Sequence, residues 1–431
     1  MSDGADAKQS SRHLSWDPDA YLDSLEPVGW RLGLERMHRL TTALGLPQRR
    51  FASIHVVGTN GKSSVTRMCA ALLEAHGVPS GACLSPHAAR WTERTLIRGE
   101  EISAAAWAEA VEQVALAAAG VNRTLDEGEV VTEFEAATAA TFVALARARV
   151  KAAAIEAGLG GRLDATNTIP SRVTVLTSIG RDHTEWLGES ELEIAAEKLA
   201  VLRDASTLVL GRVSPPVREL AERTAAERGA KLLVAPEDPG PGVRLRAAGG
   251  FQRRNFALAA AAVGAFLDGL DPETVAAVAA SVEVPGRLER IAEEPPTYLD
   301  AAHNPDGAAA LAEALPAVSD GRRVVACLAV LADKDAAAMV AALAPVLDAA
   351  VCTEVPPAAL RSHGRPGASS RPAVELASLL AEAGVRAEPE PDFDAALRRA
   401  RQLACEPPEA TLLVTGSHYA LAPARATLAS S

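Results

Sequence analysis

The sequence lacks an excess of positive charge: 43 Lys and Arg stand against 55 Asp and Glu, a formal net charge of −12. A surface of that sign argues against nucleic acid or an anionic membrane as the main partner. Any anionic ligand must then be met by a local cluster of cations. The chain also lacks paired cysteines. Its five (Cys69, Cys83, Cys327, Cys352, Cys405) are odd in number and include no CxxC. That disfavours a disulfide framework or a thiolate zinc site and suits a reducing compartment. No window reaches about 18 apolar residues, so no membrane-spanning helix is expected. The polar start MSDGADAKQS does not read as a signal peptide. These absences lead us to expect a cytoplasmic protein. Lysine is scarce, occurring only at 8, 62, 151, 198, 231 and 334. Where charge alone is needed this chain uses arginine, so a retained lysine invites a reason: ammonium and guanidinium differ as point charge, nucleophile and acid.

What is present is an α/β pattern. At roughly 150 residues per domain, 431 residues point to two or three domains. With 48% hydrophobic and 23% charged residues, the chain has enough apolar material for sizeable cores. Short apolar runs predict strands at 53–57, 152–156, 173–178, 207–210, 297–300, 324–328, 349–353 and 412–415. Ala/Leu/Glu/Arg stretches predict helices at 62–75, 104–119, 134–148, 191–202, 255–267, 307–315, 336–347 and 393–404. This alternation is the signature of parallel sheets. Two proline-bearing stretches bracket GRLERIAEE, which places a domain boundary there: residues 1–284, a linker or hinge at 285–296, and residues 297–431. Residues 231–250 read as a surface loop or small β excursion, and the Gly/Pro/Ser-rich 356–372 as a loop.

The stretch 53–65, SIHVVGTNGKSSV, is a strand, a glycine-bearing turn and a helix start. Such a turn converges backbone N–H groups on phosphate oxygens, and the helix N-terminus adds partial positive charge. Lys62 would neutralise terminal phosphates and a following hydroxyl would ligate Mg²⁺. The spacing is not that of an ordinary Walker A loop, whose first glycine would fall at Val56. Gly58, Thr59, Asn60, Gly61, Lys62, Ser63 and Ser64 are therefore read as a nucleotide site. Glu156 ends a buried-looking strand ahead of GLGG, where an α/β nucleotide site holds its magnesium.

GTNGKSS resembles the loop of the ATP-dependent Mur ligase superfamily. Further stretches resemble its folylpolyglutamate synthase/dihydrofolate synthase family: SPHAARWTERTLIRGEEIS (85–103), EAGLGGRLDATN (156–167), IGRDHTEWLGES (179–190), AAEKLAVL (195–202), PGRLE (285–289), LDAAHNPDGA (299–308) and TGSHY (415–419). They occur in the family's order along nearly the whole chain. The resemblance implies a Mur-ligase-like α/β fold. An N-terminal P-loop ATPase domain with a parallel-rich sheet would be followed by a smaller C-terminal Rossmann-like α/β domain that ligates glutamate.

It also implies roles. Ser85, Glu156 and His183 would bind magnesium together with Ser63 or Ser64; the family's serine aligns with Ser64, whereas Walker-type logic favours Ser63. Lys198 would be carbamylated and bind a second Mg²⁺, an adduct arginine cannot form. Asn255 would meet adenine, Arg287 a phosphate and Asp300 the ribose of ATP. His303 and Ser417 would shape the glutamate site. Arg90, Arg94, Arg98 and Arg162 are available to the carboxylates of an anionic acceptor, and Arg162 with Asp164 would either bind it or brace the loop. Three departures from the family pattern bear on substrate fit: His418 for leucine, Ala301 for glycine, and Val284 for an aromatic before Pro285-Gly286-Arg287.

The implied reaction transfers the γ-phosphoryl of MgATP to a folate-type carboxylate, and L-glutamate attacks the acyl phosphate. The acceptor would be dihydropteroate, a reduced folate, or both, with the segment 21–36 and residues 130–134 deciding. We expect a monomer. One rival is a Mur-type ligase acting on another carboxylate; those enzymes carry a domain ahead of the ATP loop, and only 57 residues precede Gly58 here. The other is an ATP-binding paralogue without ligase chemistry.

Overall fold

The computed structural model describes residues 16–25, 33–361 and 368–429. The first sheet contains β1 (Ala52–Val57), β2 (Ser80–Cys83), β3 (Thr95–Ile97), β4 (Glu100–Glu101), β5 (Ala152–Glu156), β6 (Ser171–Leu176), β7 (Thr207–Leu210) and β8 (Lys231–Val234). Their spatial order is β4-β3-β2-β5-β1-β6-β7-β8. All neighbours are parallel except the short β2–β3–β4 meander at one edge. Val56 pairs with Glu156 and Val57 with Leu176, so β1 lies between β5 and β6. The loops leaving these three strands consequently open side by side.

Helices cover both faces. Lys62–Ala75 packs with Gly250–Leu267 and Pro272–Ser281 over one core, which includes Met68, Leu72 and Phe256. Ala104–Asn122 and Glu133–Arg147 close another around Trp107 and Phe142, both fully buried. A phenylalanine buried like Phe142 contributes about 2–3 kcal/mol of transfer free energy. The helix starts are set locally. Thr132 and Glu135 form a capping box, as do Ser190 and Glu193, each pair satisfying orphan N–H groups of the first turn.

The second sheet contains β9 (Glu289–Glu293), β10 (Pro296–Leu299), β11 (Arg323–Leu328), β12 (Ala349–Cys352), β13 (Arg386–Pro389) and β14 (Ala410–Thr415). Its order is β13-β12-β11-β14-β10-β9, parallel apart from the antiparallel edge β9. The sheet therefore begins inside the stretch that the sequence suggested as a linker, 285–296. Glu289–Glu293 folds back on Pro296–Leu299 as a hairpin, leaving 282–288 as the irregular connection between the last first-domain helix and the second sheet. Further strands not expected from the sequence are β2–β4 and β13, while β8 falls where a small β excursion was one of the two expectations. These segments are short and lie at or near sheet edges, where no continuous apolar run is needed. Residues 231–250 begin as β8, paired with β7, before turning irregular. Within 356–372, Pro357–Arg361 is helical and residues 362–367 lie outside the described part. Among the described residues, no helix is long and apolar enough to cross a membrane.

Candidate active site

The C-terminal edges of the two sheets face each other across a cavity of about 840 Å³. From the first sheet, β1 delivers Gly58–Ser64, β5 delivers Glu156, and the loop after β6 delivers Thr177, Ser178, Asp182 and His183. From the second, β10 delivers Asp300–His303, β11 leads to Lys334, and β14 leads to Ser417. Lys198, Asn255 and Arg287 also line the cavity.

The phosphate loop is held by the strand beside it. Thr59 N–H donates to the Ser178 carbonyl (2.8 Å) and Thr177 Oγ1 to the Asn60 carbonyl (2.6 Å). Gly58 has φ +148°, and a Cβ there would sit 1.9 Å from Thr177 Oγ1, so only glycine allows this approach. Gly61, at φ +85°, turns the chain into the helix and abuts Asn255. Lys62 Nζ donates to the Gly58 and Thr59 carbonyls, both at 3.2 Å, which keeps the ammonium against the loop.

Glu156 accepts from Ser63 Oγ (2.8 Å) and from Ser85 N–H (3.0 Å). Burial pushes its carboxyl up, against the opposing influence of Lys62, the Ser85 N–H and the Ser63 hydroxyl. The two candidate serines part here: Ser63 reaches Glu156, while Ser64 Oγ is buried with no hydrogen-bond partner. Lys198, on the helix Glu191–Leu199, is only 4% exposed. Burial, helped by the Lys62 charge, pushes its ammonium down to about 7, leaving much of it as free amine near neutrality. His183 sits at φ 54° at the start of the short helix Thr184–Leu187.

The second domain's groups are held mostly by backbone. Asp300 accepts from Leu288 N–H (2.7 Å) and Ala302 N–H (2.8 Å), tying the connection 282–288 to the end of β10. Burial pushes its carboxyl up, opposed first by Arg287. His303 Nδ1 donates to the Ala301 carbonyl (2.8 Å), and Ser417, almost fully buried, caps the turn at Tyr419. Asn255 Nδ2 donates to Gln252 Oε1 (2.9 Å).

Of the arginines singled out for an anionic acceptor, Arg94 lines the cavity, donating to His87 Nδ1 (2.9 Å) and stacking over Trp91, with Glu133 and Phe134 as fellow wall residues. Arg90 lies outside that lining, exposed and paired with Glu101 at 2.9 Å. Exposed Arg98 lies outside it too. Arg162 pairs with Glu197 (3.1 Å) and also lies outside. Asp164 does not pair with it. Buried, it accepts from the N–H groups of Leu159 and Thr166, both at 2.9 Å, and so braces the loop alone. Sequence reasoning passed over Asp182, Asn304 and Lys334, whose contacts cross between the domains. For Lys334 a signal existed in the scarcity of lysine: of the five described, Lys62, Lys198 and Lys334 line the cavity, whereas Lys151 and Lys231 are exposed.

Residues 56–238 match the Mur ligase middle domain, and residues 286–418 the Mur ligase glutamate ligase domain. A dihydrofolate synthase/folylpolyglutamate synthase of Mycobacterium tuberculosis is 37% identical over 367 residues, 74% of each chain. The structure resembles that of Mycobacterium tuberculosis folylpolyglutamate synthase complexed with ADP, with a TM-score of 0.85 and 34% identity over 95% of this chain and 96% of that one. It also resembles a bifunctional folylpolyglutamate synthase/dihydrofolate synthase with Mn, AMPPNP and L-glutamate bound, with a TM-score of 0.79 and 29% identity over 95% and 97% of the two chains. Both domain models and relatives matched along most of the chain agree, and the chain belongs to the folylpolyglutamate synthase/dihydrofolate synthase family of Mur ligases.

Proposed function

We propose that this ligase adds L-glutamate to the carboxylate of a folate-type acceptor, dihydropteroate or a reduced folate, through an acyl phosphate. The observation that carries the reading is the convergence of Lys62 and Glu156 from one domain, Arg287 from the connection and Asp300, His303 and Ser417 from the other domain on one cavity. A carboxylate is a poor acyl donor, so amide formation requires activation. Phosphoryl transfer needs charge neutralisation and in-line placement more than covalent help from the protein. Lys62 and Arg287 supply cations to the phosphates, and the loop N–H groups orient them. Asn255, which abuts Gly61, would meet the base of ATP, and Asp300, which lines the same cavity, the ribose.

The residues around Glu156 fit magnesium by donor chemistry: hard oxygens from a carboxylate and serine hydroxyls, one of them an orphaned buried Ser64 Oγ. Among the described residues no three His, Cys, Asp or Glu side chains form a group that could hold a metal ion by themselves, so the set is a mixed one. Ser63 or Ser64, Ser85, Glu156, His183 and a carbamate formed on Lys198 would hold two ions, which supply further charge neutralisation when bound. The buried, low-pKa amine of Lys198 is what carbamate formation with CO₂ requires. His303 and Ser417 face the cavity where L-glutamate would enter, and the two domains together keep water from the acyl phosphate. Arg94, buried in the cavity wall, would offer a cation to the acceptor.

The test is phosphate release from MgATP and L-glutamate, with 7,8-dihydropteroate or tetrahydrofolate as acceptor. Glutamate-dependent turnover with at least one is expected, falling roughly 10²–10³-fold in Lys62→Ala. No glutamate-dependent release with either acceptor would overturn the proposal.

A further inference from the structure

One carboxylate of the first domain gathers three side chains of the second. Asp182, on the loop after β6, receives Lys334 Nζ on Oδ1 at 2.6 Å and Asn304 Nδ2 on Oδ2 at 3.1 Å, with His303 Nε2 3.5 Å from the same Oδ2. The side chains of Asp182 and Lys334 are only 10% and 7% exposed. Asn304 passes the contact on: its amide exchanges hydrogen bonds with that of Asn60 in the phosphate loop, at 3.1 and 3.2 Å. Its Oδ1 also caps the helix Pro305–Ser319 by accepting from Gly307 N–H (2.8 Å). Gly180 leaves room for a further side chain of the second domain, since a Cβ there would lie 1.8 Å from Asp306 Oδ2.

Burying an ammonium and a carboxylate costs about as much solvation as their attraction returns, so such a pair is a poor source of stability. It is a strong source of geometry, because each charge accepts few alternative partners. Surface arginines of this chain pair with exposed carboxylates; this lysine is enclosed and reaches across the domain boundary.

We propose that Lys334 is a positioning residue: through Asp182 it sets His303 and Asn304 against the phosphate loop, and so fixes the inter-domain arrangement in which amide formation occurs. The inference rests on the ligase reading above. Lys334 acts through Asp182 and holds neither the nucleotide nor the amino acid. Its loss is then felt at the glutamate step and not in nucleotide binding.

The experiment compares wild type with Lys334→Met, Lys334→Arg, Asp182→Asn and the Lys334→Met/Asp182→Asn double variant. Thermal unfolding checks folding, with Lys334→Gln as a second neutral variant should Met not be tolerated. In Lys334→Met, AMPPNP affinity by calorimetry is expected to stay within about threefold while kcat/KM for glutamate falls on the order of 30-fold or more. The double variant is expected to be no worse than the more impaired single variant by more than about twofold, because both break one interaction. The ring-nitrogen resonance of His303 in ¹⁵N-histidine-labelled protein, assigned with His303→Gln, is expected to move in Lys334→Met and return toward its wild-type position in Lys334→Arg. Multiplicative losses in the double variant would mean Lys334 acts on a ligand directly and would overturn the proposal. So would an unmoved His303 resonance. The resonance needs no substrate: wild type without glutamate-dependent turnover would sink the functional reading, while the histidine signal still judges the Lys334–Asp182 link.

Discussion

At the scale of single residues, the site places ionisable groups where burial competes with charge. Glu133, beside Arg94 in the cavity wall, is 3% exposed, and burial pushes its carboxyl up to about 7, with Arg94 opposing and Asp23 adding to the rise. A carboxyl whose folded pKa lies above its unfolded value of 4.5 holds a proton in the fold that the unfolded chain has released. Its contribution to stability is full below 4.5 and is lost as pH rises to about 7, by at most about 1.4 kcal/mol per pH unit. Glu133→Gln, which mimics the protonated form, is therefore expected to gain stability relative to wild type across that window. Urea unfolding of both proteins at pH 4.5, 6 and 7.5 checks this; a constant difference would contradict it. His55 shows the opposite sign: fully buried, with Nδ1 unpartnered and Nε2 on Thr166 Oγ1 at 2.8 Å, its imidazole is pushed down to about 3, chiefly by burial. It disfavours the fold as pH falls from 6.5 towards 3.

At the scale of elements, the helix Glu191–Leu199 carries Lys198 to the cavity because the GLGG turn gives way to it. A Cβ on Gly161 would lie 2.8 Å from the Glu197 carbonyl and 2.9 Å from that of Lys198, backbone atoms that cannot rotate aside. Gly161→Ala is expected to displace this helix, costing about 1–3 kcal/mol of stability. Ligase turnover should drop while Lys62 and the phosphate loop stay untouched. Differential scanning calorimetry and phosphate release read the two effects; an alanine variant with wild-type stability would show that the helix moves freely. Element starts and ends were largely legible in the chain. The runs at 53–57, 152–156, 207–210 and 412–415 correspond to β1, β5, β7 and β14, and GKSS correctly marked the helix Lys62–Ala75. Several short strands at or near the sheet edges were not legible, since a four-residue segment such as SGAC at β2 is defined by its neighbours' hydrogen bonds rather than by a pattern of its own.

At the scale of the whole molecule, the two domains meet through polar side chains around the cavity and through Ala248 and Phe251, which pack against the second domain's core, and are joined by residues 282–288. That connection is fastened at Leu288 by Asp300 and at Gly286 by Glu289. A short connection of this kind is what a hinge would require. Small-angle scattering is expected to show a lower radius of gyration with AMPPNP and acceptor bound than without; superimposable curves would count against closure. The charge balance also belongs to this scale: within a chain of net −12, Lys62, Arg94 and Arg287 all line the cavity, the local set of cations that the proposed anionic acceptor would need.

Arg90, Arg162 and Asp164 mark where local reading stops. A long arginine side chain pairs with whichever carboxylate lies within reach, and Glu101 and Glu197 are brought there by packing that spacing does not encode. The sequence by itself determined the chemistry available: a loop whose glycines admit close backbone approach, a carboxylate at a strand end, lysines retained among arginines, and histidines after strands. Only the tertiary structure decided which of these meet. The order of strands in the two sheets brings positions 60, 182, 304 and 334 into hydrogen-bonding reach of one another. Contacts between residues so far apart in the chain depend on how complete sheets pack, which no local stretch of sequence specifies.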